Sequence, residues 1–358
     1  METYRATLIG CSRMGAFIDN EVPVERGPYS HAAGYEACDR TELIACSDLR
    51  KDVMAQVGER YGVAADKQYT DYKEMIDRER PDIVSVATQP EHRAEIVVYA
   101  AEHGTRAIYA EKAMAASMKD ADAMVDSVER NGVLFNMGTN RRWDPGYDAM
   151  LGVIESGRIG ELRSIVSHTT GTLFNTASHI FDLIQRLSGD HKAISVQAHL
   201  PNGDTAIDGS RLTEDPMGEG TIQFENGTTA YALNTGRGLE IEAVGSEGAV
   251  TALGTDREWR IRETGEKDHR GRGVWVDGVF PEFERRSSTL RLIEDLVRGL
   301  DTGEPTRGGV QLARANNELI FAFVESHQRG GARVDLPLSE SKYYLERDWK
   351  ARVPKFTR

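Results

Sequence analysis

Cysteine is scarce: three of 358 residues (Cys11, Cys38 and Cys46), none at Cys-x-x-Cys spacing. So odd and sparse a set excludes a disulfide framework and a structural zinc site, and it points to a reducing compartment. No apolar run approaches the roughly 18 residues that a membrane helix needs. The opening METYRATLIG lacks the basic-then-apolar layout of a signal peptide and already reads as a strand. A cytoplasmic protein without a membrane partner is therefore expected. Cationic excess is missing too: the formal charge is −13, so nucleic acid finds no general attraction here. Internal repeats, low-complexity tracts and metal-ligand spacings are also absent. What is present is ordinary for a folded protein, with 39% hydrophobic and 28% charged residues. At this length two domains are the natural expectation.

Strands and helices alternate through the first part of the chain. Short apolar runs at 4–9, 43–47, around 69, 82–88, 107–110 and 133–137 read as strands. The segments between them have helical spacing and end signals: Thr70 or Asp71 and Ser117 as N-caps, Gly104 and Gly132 as stops, Pro81 just past a helix end. This alternation predicts a doubly wound parallel α/β sheet, a Rossmann arrangement, over residues 1–138. After a helix near 144–157 the rhythm changes. Candidate strands at 161–167, 193–199, 220–225, 228–233 and 239–244 follow, with one helix near 176–188 among them. Asn226-Gly227 signals a tight hairpin. Two helices, 289–300 and 310–324, close the series, and 265–285 reads as a loop rich in Gly and charge. Residues 139–358 are thus expected to form an α+β domain on a large, open, mainly antiparallel sheet. Its uncovered face calls for association into a dimer or tetramer.

Gly10-Cys11-Ser12-Arg13-Met14-Gly15 lies at the first strand–helix junction. Glycines there let the backbone approach a pyrophosphate, and a helix N-terminus supplies amide donors. Ser12 takes the place of the middle glycine of G-x-G-x-x-G and can itself bond a phosphate. Asp48, at the end of the second strand, suits the adenosine ribose hydroxyls; it favours NAD, with NADP possible because Arg13, Arg50 and Lys51 are near in sequence. Residues 19–30 read as an inserted loop that lengthens the spacing from Gly10 to Asp48.

GCSRMG, DIVSVATQPEHR, AEKAMA, GTNRRWDP and LFNTASHIFDLIQRLSG occur in one order. Together they resemble the family named for glucose–fructose oxidoreductase, inositol dehydrogenase and the rhizopine-catabolism protein (Gfo/Idh/MocA). The resemblance spans most of the chain. It implies a Rossmann domain, a C-terminal domain with an open sheet, and nicotinamide chemistry on a sugar, polyol or sugar acid. Glu111-Lys112-Ala113 matches the family's Glu-Lys-Pro segment. Lys112 is then expected to polarise the alcohol oxygen, and Ala113 replaces a proline that would hold it in extended backbone. Asn175-Thr176-Ala177-Ser178-His179 matches the family's Asp-x-x-x-His, making His179 the expected acid/base. An amide at 175 cannot accept a proton, which leaves Asn175 to orient substrate or His179. Thr88, Glu111 and His92 (matched to a family histidine near the nicotinamide) complete the expected cofactor contacts, with Arg141, Arg142 and Asp182 as substrate contacts. One of the two arginines is expected to be a structural ion-pair partner. Three readings stay open: a dehydrogenase, a lyase or glycosidase using NAD in transient redox, and a non-catalytic sensor.

Overall fold

The computed structural model describes residues 2–168, 171–348 and 354–356. Contacts divide the chain into two units. The first comprises Met1–Trp143, Arg286–Arg314 and Asp348–Arg358; the second comprises Asp144–Arg285 and Ala315–Arg347. The expected division at 138 thus differs from the observed one in a specific way, because two later segments return to the first unit.

Six strands build the first unit's sheet: β1 (Tyr4–Ile9), β2 (Thr41–Ser47), β3 (Gln68–Tyr69), β4 (Ile83–Val86), β5 (Ala107–Ala110) and β6 (Leu134–Met137). Their order is β3-β2-β1-β4-β5-β6, and every neighbouring pair is parallel. Every residue of β4 and β5 is buried, which is why these strands read as near-continuous apolar runs. Helices α1 (His31–Ala37), α2 (Lys51–Tyr61), α3 (Tyr72–Glu79), α4 (Pro90–Glu102) and α5 (Met118–Arg130) connect them. Asp71 and Ser117 cap α3 and α5 through their side chains.

The helix expected straight after the glycine loop is not one helix. Arg13–Phe17 forms a single wide turn, Ile18–Asn20 and Val24–Arg26 form tight ones, and α1 begins only at His31. The 19–30 insertion therefore interrupts the helix, and the peptide dipoles aligned at the glycine loop are fewer than a full helix would supply.

Helix 288–302 packs Leu292, Ile293 and Leu296 with Tyr35, Ile83, Tyr109 and Trp143 in the first unit's core. The chain after it is stitched to β6: Thr306 Oγ1 donates to Phe135 O at 2.5 Å and Gly308 N to Asn136 Oδ1 at 3.0 Å.

The second unit opens with α6 (Pro145–Glu155), carries α7 (Ser178–Leu187) and is built on nine strands. In spatial order the strands are 273–278, 258–267, 248–253, 240–245, 162–168, 229–233, 219–224, 193–199 and 334–335. All neighbours are antiparallel except 162–168 with 229–233. Gly227, at φ +86°, turns the expected hairpin. The expected loop at 265–285 is overturned in part: Glu258–Lys267 and Gly273–Gly278 pair as an edge hairpin. Five of the six residues of the outer strand are exposed, so it carries no inside–outside alternation to read. Among the described residues no helix is long and apolar enough to cross a membrane.

Candidate functional site

The first unit collects its candidate residues at the carboxyl ends of the parallel strands, where ligands bind in open α/β sheets. Gly10 has φ +89°, and a Cβ on it would lie 2.9 Å from the Ala87 carbonyl carbon and oxygen. A Cβ on Gly15 would lie 2.0 Å from Gly10 O. Both positions thus require glycine, one for close approach to the Ala87–Thr88 backbone and one for the tight turn. Asp48 Oδ2 accepts from Cys11 N at 2.9 Å, tying the end of β2 to the loop; Asp48 Oδ1 accepts from Arg50 N at 2.9 Å. Ser12 and Met14 are half-buried in the loop, whereas Arg13 is exposed and pairs with Glu21 at 2.7 Å. A glycine cradle closed by an acidic residue fits a dinucleotide with free ribose hydroxyls.

Next along the strand ends, Thr88 and Lys112 are half-buried and Glu111 is buried. Glu111 is the centre of a polar network that no local sequence pattern discloses. His31 on α1, fully buried, places Nε2 at 3.1 Å from Glu111 Oε1 and Nδ1 at 2.6 Å from Ser85 Oγ. Its ring stacks on Tyr109 at 3.7 Å between centroids. Lys112 N donates to Glu111 Oε2 at 3.3 Å. Burial pushes the Glu111 carboxyl up, but the His31 hydrogen bond and the charges of His31, Lys112 and Arg93 outweigh it and hold the group below its ordinary range. Gly138 leaves the room this needs, since a Cβ there would come within 2.8 Å of Glu111 Oε1.

His92 stands apart: it is exposed on α4, while its neighbour Arg93 is 1% exposed. The Arg93 guanidinium donates from Nη1 to Ala113 O and from Nη2 to Thr88 O. Helical periodicity is the signal that could find it, because residue 93 shares the buried face of α4 with Ile96, Val97 and Ala100. Of the paired arginines, Arg142 is fully buried, with Nη1 donating to the backbone carbonyl of Arg307 at 3.3 Å. Arg141 is half-buried, and its Nε meets no acceptor among the described residues.

In the second unit a wide turn, Leu173–Ala177, leads into α7. Asn175 on the turn is exposed, His179 in the first turn of α7 is half-buried, and Asp182 is 2% exposed. Asp215, which no sequence motif marks, holds this turn in place. Its Oδ1 accepts from Phe174 N at 2.9 Å and its Oδ2 from Asn175 N at 3.0 Å and from the Thr172 hydroxyl. Asn316, fully buried, donates to Ser178 O at 2.8 Å. Among the described residues no three His, Cys, Asp or Glu side chains are grouped to hold a metal ion.

Comparison with known proteins agrees with this architecture. Residues 24–139 match the model of the Gfo/Idh/MocA oxidoreductase family's NAD-binding Rossmann fold, and residues 163–336 match that of its C-terminal alpha/beta domain. The chain is 31% identical to the D-apiose dehydrogenase of Paraburkholderia graminis, over 70% of this chain and 68% of that one. It is 24% identical to the myo-inositol 2-dehydrogenase of Thermotoga maritima, over 77% and 85%. The solved aldose-aldose oxidoreductase of Caulobacter crescentus superposes with TM-score 0.74 at 17% identity, covering 94% of this chain and all of that one. The chain belongs to the Gfo/Idh/MocA oxidoreductase family and is an NAD-dependent dehydrogenase.

Proposed function

We propose that this enzyme oxidises one hydroxyl-bearing carbon of a sugar, cyclitol or sugar acid, with Lys112 polarising the alcohol oxygen and His179 taking the hydroxyl proton. NAD, when bound, would supply the hydride acceptor for this chemistry. The Gly10–Gly15 loop and Asp48 hold the dinucleotide, with Thr88 and Glu111 at the neighbouring strand ends. Asp48 favours NAD over NADP, because a carboxylate repels a 2′-phosphate. The Lys112 ammonium lowers the cost of the developing alkoxide, and His179 can both receive and return a proton near neutrality. Arg141, Arg142, Asn175 and Asp182 are the substrate contacts expected from sequence. The exposed Asn175 and half-buried Arg141 suit that role, whereas Arg142 serves the fold.

The observation that carries the reading is the network around Glu111: a buried carboxylate kept ionised beside Lys112, on the strand-end loop next to the glycine cradle. Relatives named for a cyclitol and a sugar support the substrate class. NADH absorbance across a panel of polyols, aldoses, glycosides and sugar acids tests it, with Lys112→Met in parallel. NADH formed by the wild type and reduced roughly 10²–10⁴-fold in the variant is the expected result. Silence across the panel from protein that binds NAD would favour transient redox, in keeping with an amide at 175, and after that a sensing role.

Two further expectations complete the reading. A reducing cytoplasm is expected to keep the three buried cysteines as thiols. Tyr231 on the sheet of the second unit is 40% exposed, and a second copy covering that face would form a dimer or tetramer. A monomer by light scattering at micromolar concentration would rule that assembly out.

A further inference from the structure

Lys112 sits in a segment that lacks the proline its family's pattern leads one to expect. Ala113 is nonetheless as buried as a core residue, at 1% exposure, and its carbonyl is engaged by Arg93. The same guanidinium holds Thr88 O, and the Ala87–Thr88 peptide is the backbone against which Gly10 packs without a Cβ. One planar fork therefore joins the Lys112 loop, the end of β4 and the floor of the glycine cradle. Only arginine offers donors spread widely enough to serve two carbonyls from different loops; a lysine ammonium is a single point. Burying a cation so completely is costly unless charge and acceptors compensate it. Both are present, with two carbonyls and the Glu111 carboxylate, on which Arg93 acts electrostatically.

We propose that Arg93 is a positioning residue for catalysis, fixing the Lys112–Ala113 backbone in place of the missing proline ring. The inference rests on the reading of Lys112 as the group that polarises the alcohol. It assigns Arg93 no contact with substrate: the guanidinium acts through the backbone that carries Lys112.

Arg93→Lys keeps the charge and loses the fork. Its kcat on the substrate found in the panel is expected to fall about 10- to 100-fold, as displacing a reacting group by an ångström does. The dissociation constant for NADH should change much less. Adding Ala113→Pro should restore most of the lost kcat, because a ring at 113 supplies the restraint that the fork supplied. Amide hydrogen exchange in the full-length chain reads the same restraint without any substrate. Exchange across residues 110–117 should quicken in Arg93→Lys and slow again in the double variant. Wild-type kcat in Arg93→Lys would overturn the proposal, as would faster exchange spread over the whole unit or a double variant no better than the single one. Should Arg93→Lys not fold, Ala113→Gly slackens the same peptide with the guanidinium intact; it must then lower kcat and quicken exchange at 110–117, and no change would overturn the proposal. If no compound in the panel yields NADH, the proposed activity fails while the exchange result still decides the restraint.

Discussion

Glu111 and Asp215 do the same structural job in the two units and titrate in opposite directions. Each carboxylate fastens a short turn beside a candidate catalytic residue, Lys112 in one case and His179 in the other. Glu111 is surrounded by cationic groups, and these hold its carboxyl below the ordinary range despite deep burial. Asp215 receives backbone N–H groups and a hydroxyl, with Arg347 adding a cationic influence. Here burial wins and the carboxyl lies above its usual range, although the Thr172 hydroxyl, the Phe174 and Asn175 amides and Arg347 all pull the other way. At Asp215 the donors and Arg347 fall short of the loss of hydration, whereas at Glu111 the His31 hydrogen bond and the charges of His31, Lys112 and Arg93 together exceed it. The first unit thus anchors its chemistry with a carboxylate among buried donors and nearby positive charge, the second with a backbone cap.

The largest effect expected from breaking this pattern is at His179. If the capped turn exists to present that imidazole, His179→Ala should lower kcat roughly 10²–10⁴-fold while NADH affinity stays near wild type. Steady-state assays with an NADH titration would show both, and wild-type turnover would remove His179 from the mechanism. Glu111→Gln comes next. It keeps a hydrogen-bond acceptor toward His31 and deletes the charge, at a cost of about 1.5–3 kcal/mol for a bond to a charged group. Because the folded-state value of Glu111 is lowered, its contribution is present above the unfolded pKa of about 4.3 and is lost as pH falls through the folded value. The stability gap between wild type and Glu111→Gln should therefore narrow on acidification. A gap that widens toward acid would mean that His31 and Lys112 do not hold the carboxylate ionised.

The parallel sheet is legible in the sequence because its signals are local. β4 and β5 are near-continuous apolar runs, and Asp71 and Ser117 stand at helix starts. Lys112 and His179 can be marked because each lies in a short motif. The residues that hold them cannot. His31 meets Glu111 across 80 positions, and Asp215 meets Phe174 across 41, so neither pairing leaves a trace in any window of periodicity. The outer hairpin at 258–278 is illegible for a different reason. An edge strand exposed along its length lacks the alternation that marks a half-buried one. At α4 the signal exists, since Arg93 falls in step with the apolar face, but an arginine in that register reads as solvent-facing until its two carbonyl partners are seen.

The smallest effect, and the sharpest contrast with Glu111, is at Asp215. An amide in its place would keep one good acceptor for the turn and set an NH₂ group against the other N–H. Asp215→Asn should therefore cost about 0.5–1.5 kcal/mol, the worth of one hydrogen bond. The pH dependence is the informative part. A carboxyl whose folded value is raised contributes stability that is complete below the unfolded pKa of about 3.9 and is lost as pH rises through the folded value. Wild type should therefore hold its largest advantage over Asp215→Asn in acid and lose part of it on the way to neutrality, opposite in sign to Glu111→Gln. Thermal unfolding of the two variants against wild type across the acid range measures both slopes together. Equal signs would show that Asp215 has electrostatic support comparable to that of Glu111, and the distinction between a charge-supported anchor and a backbone cap would fall.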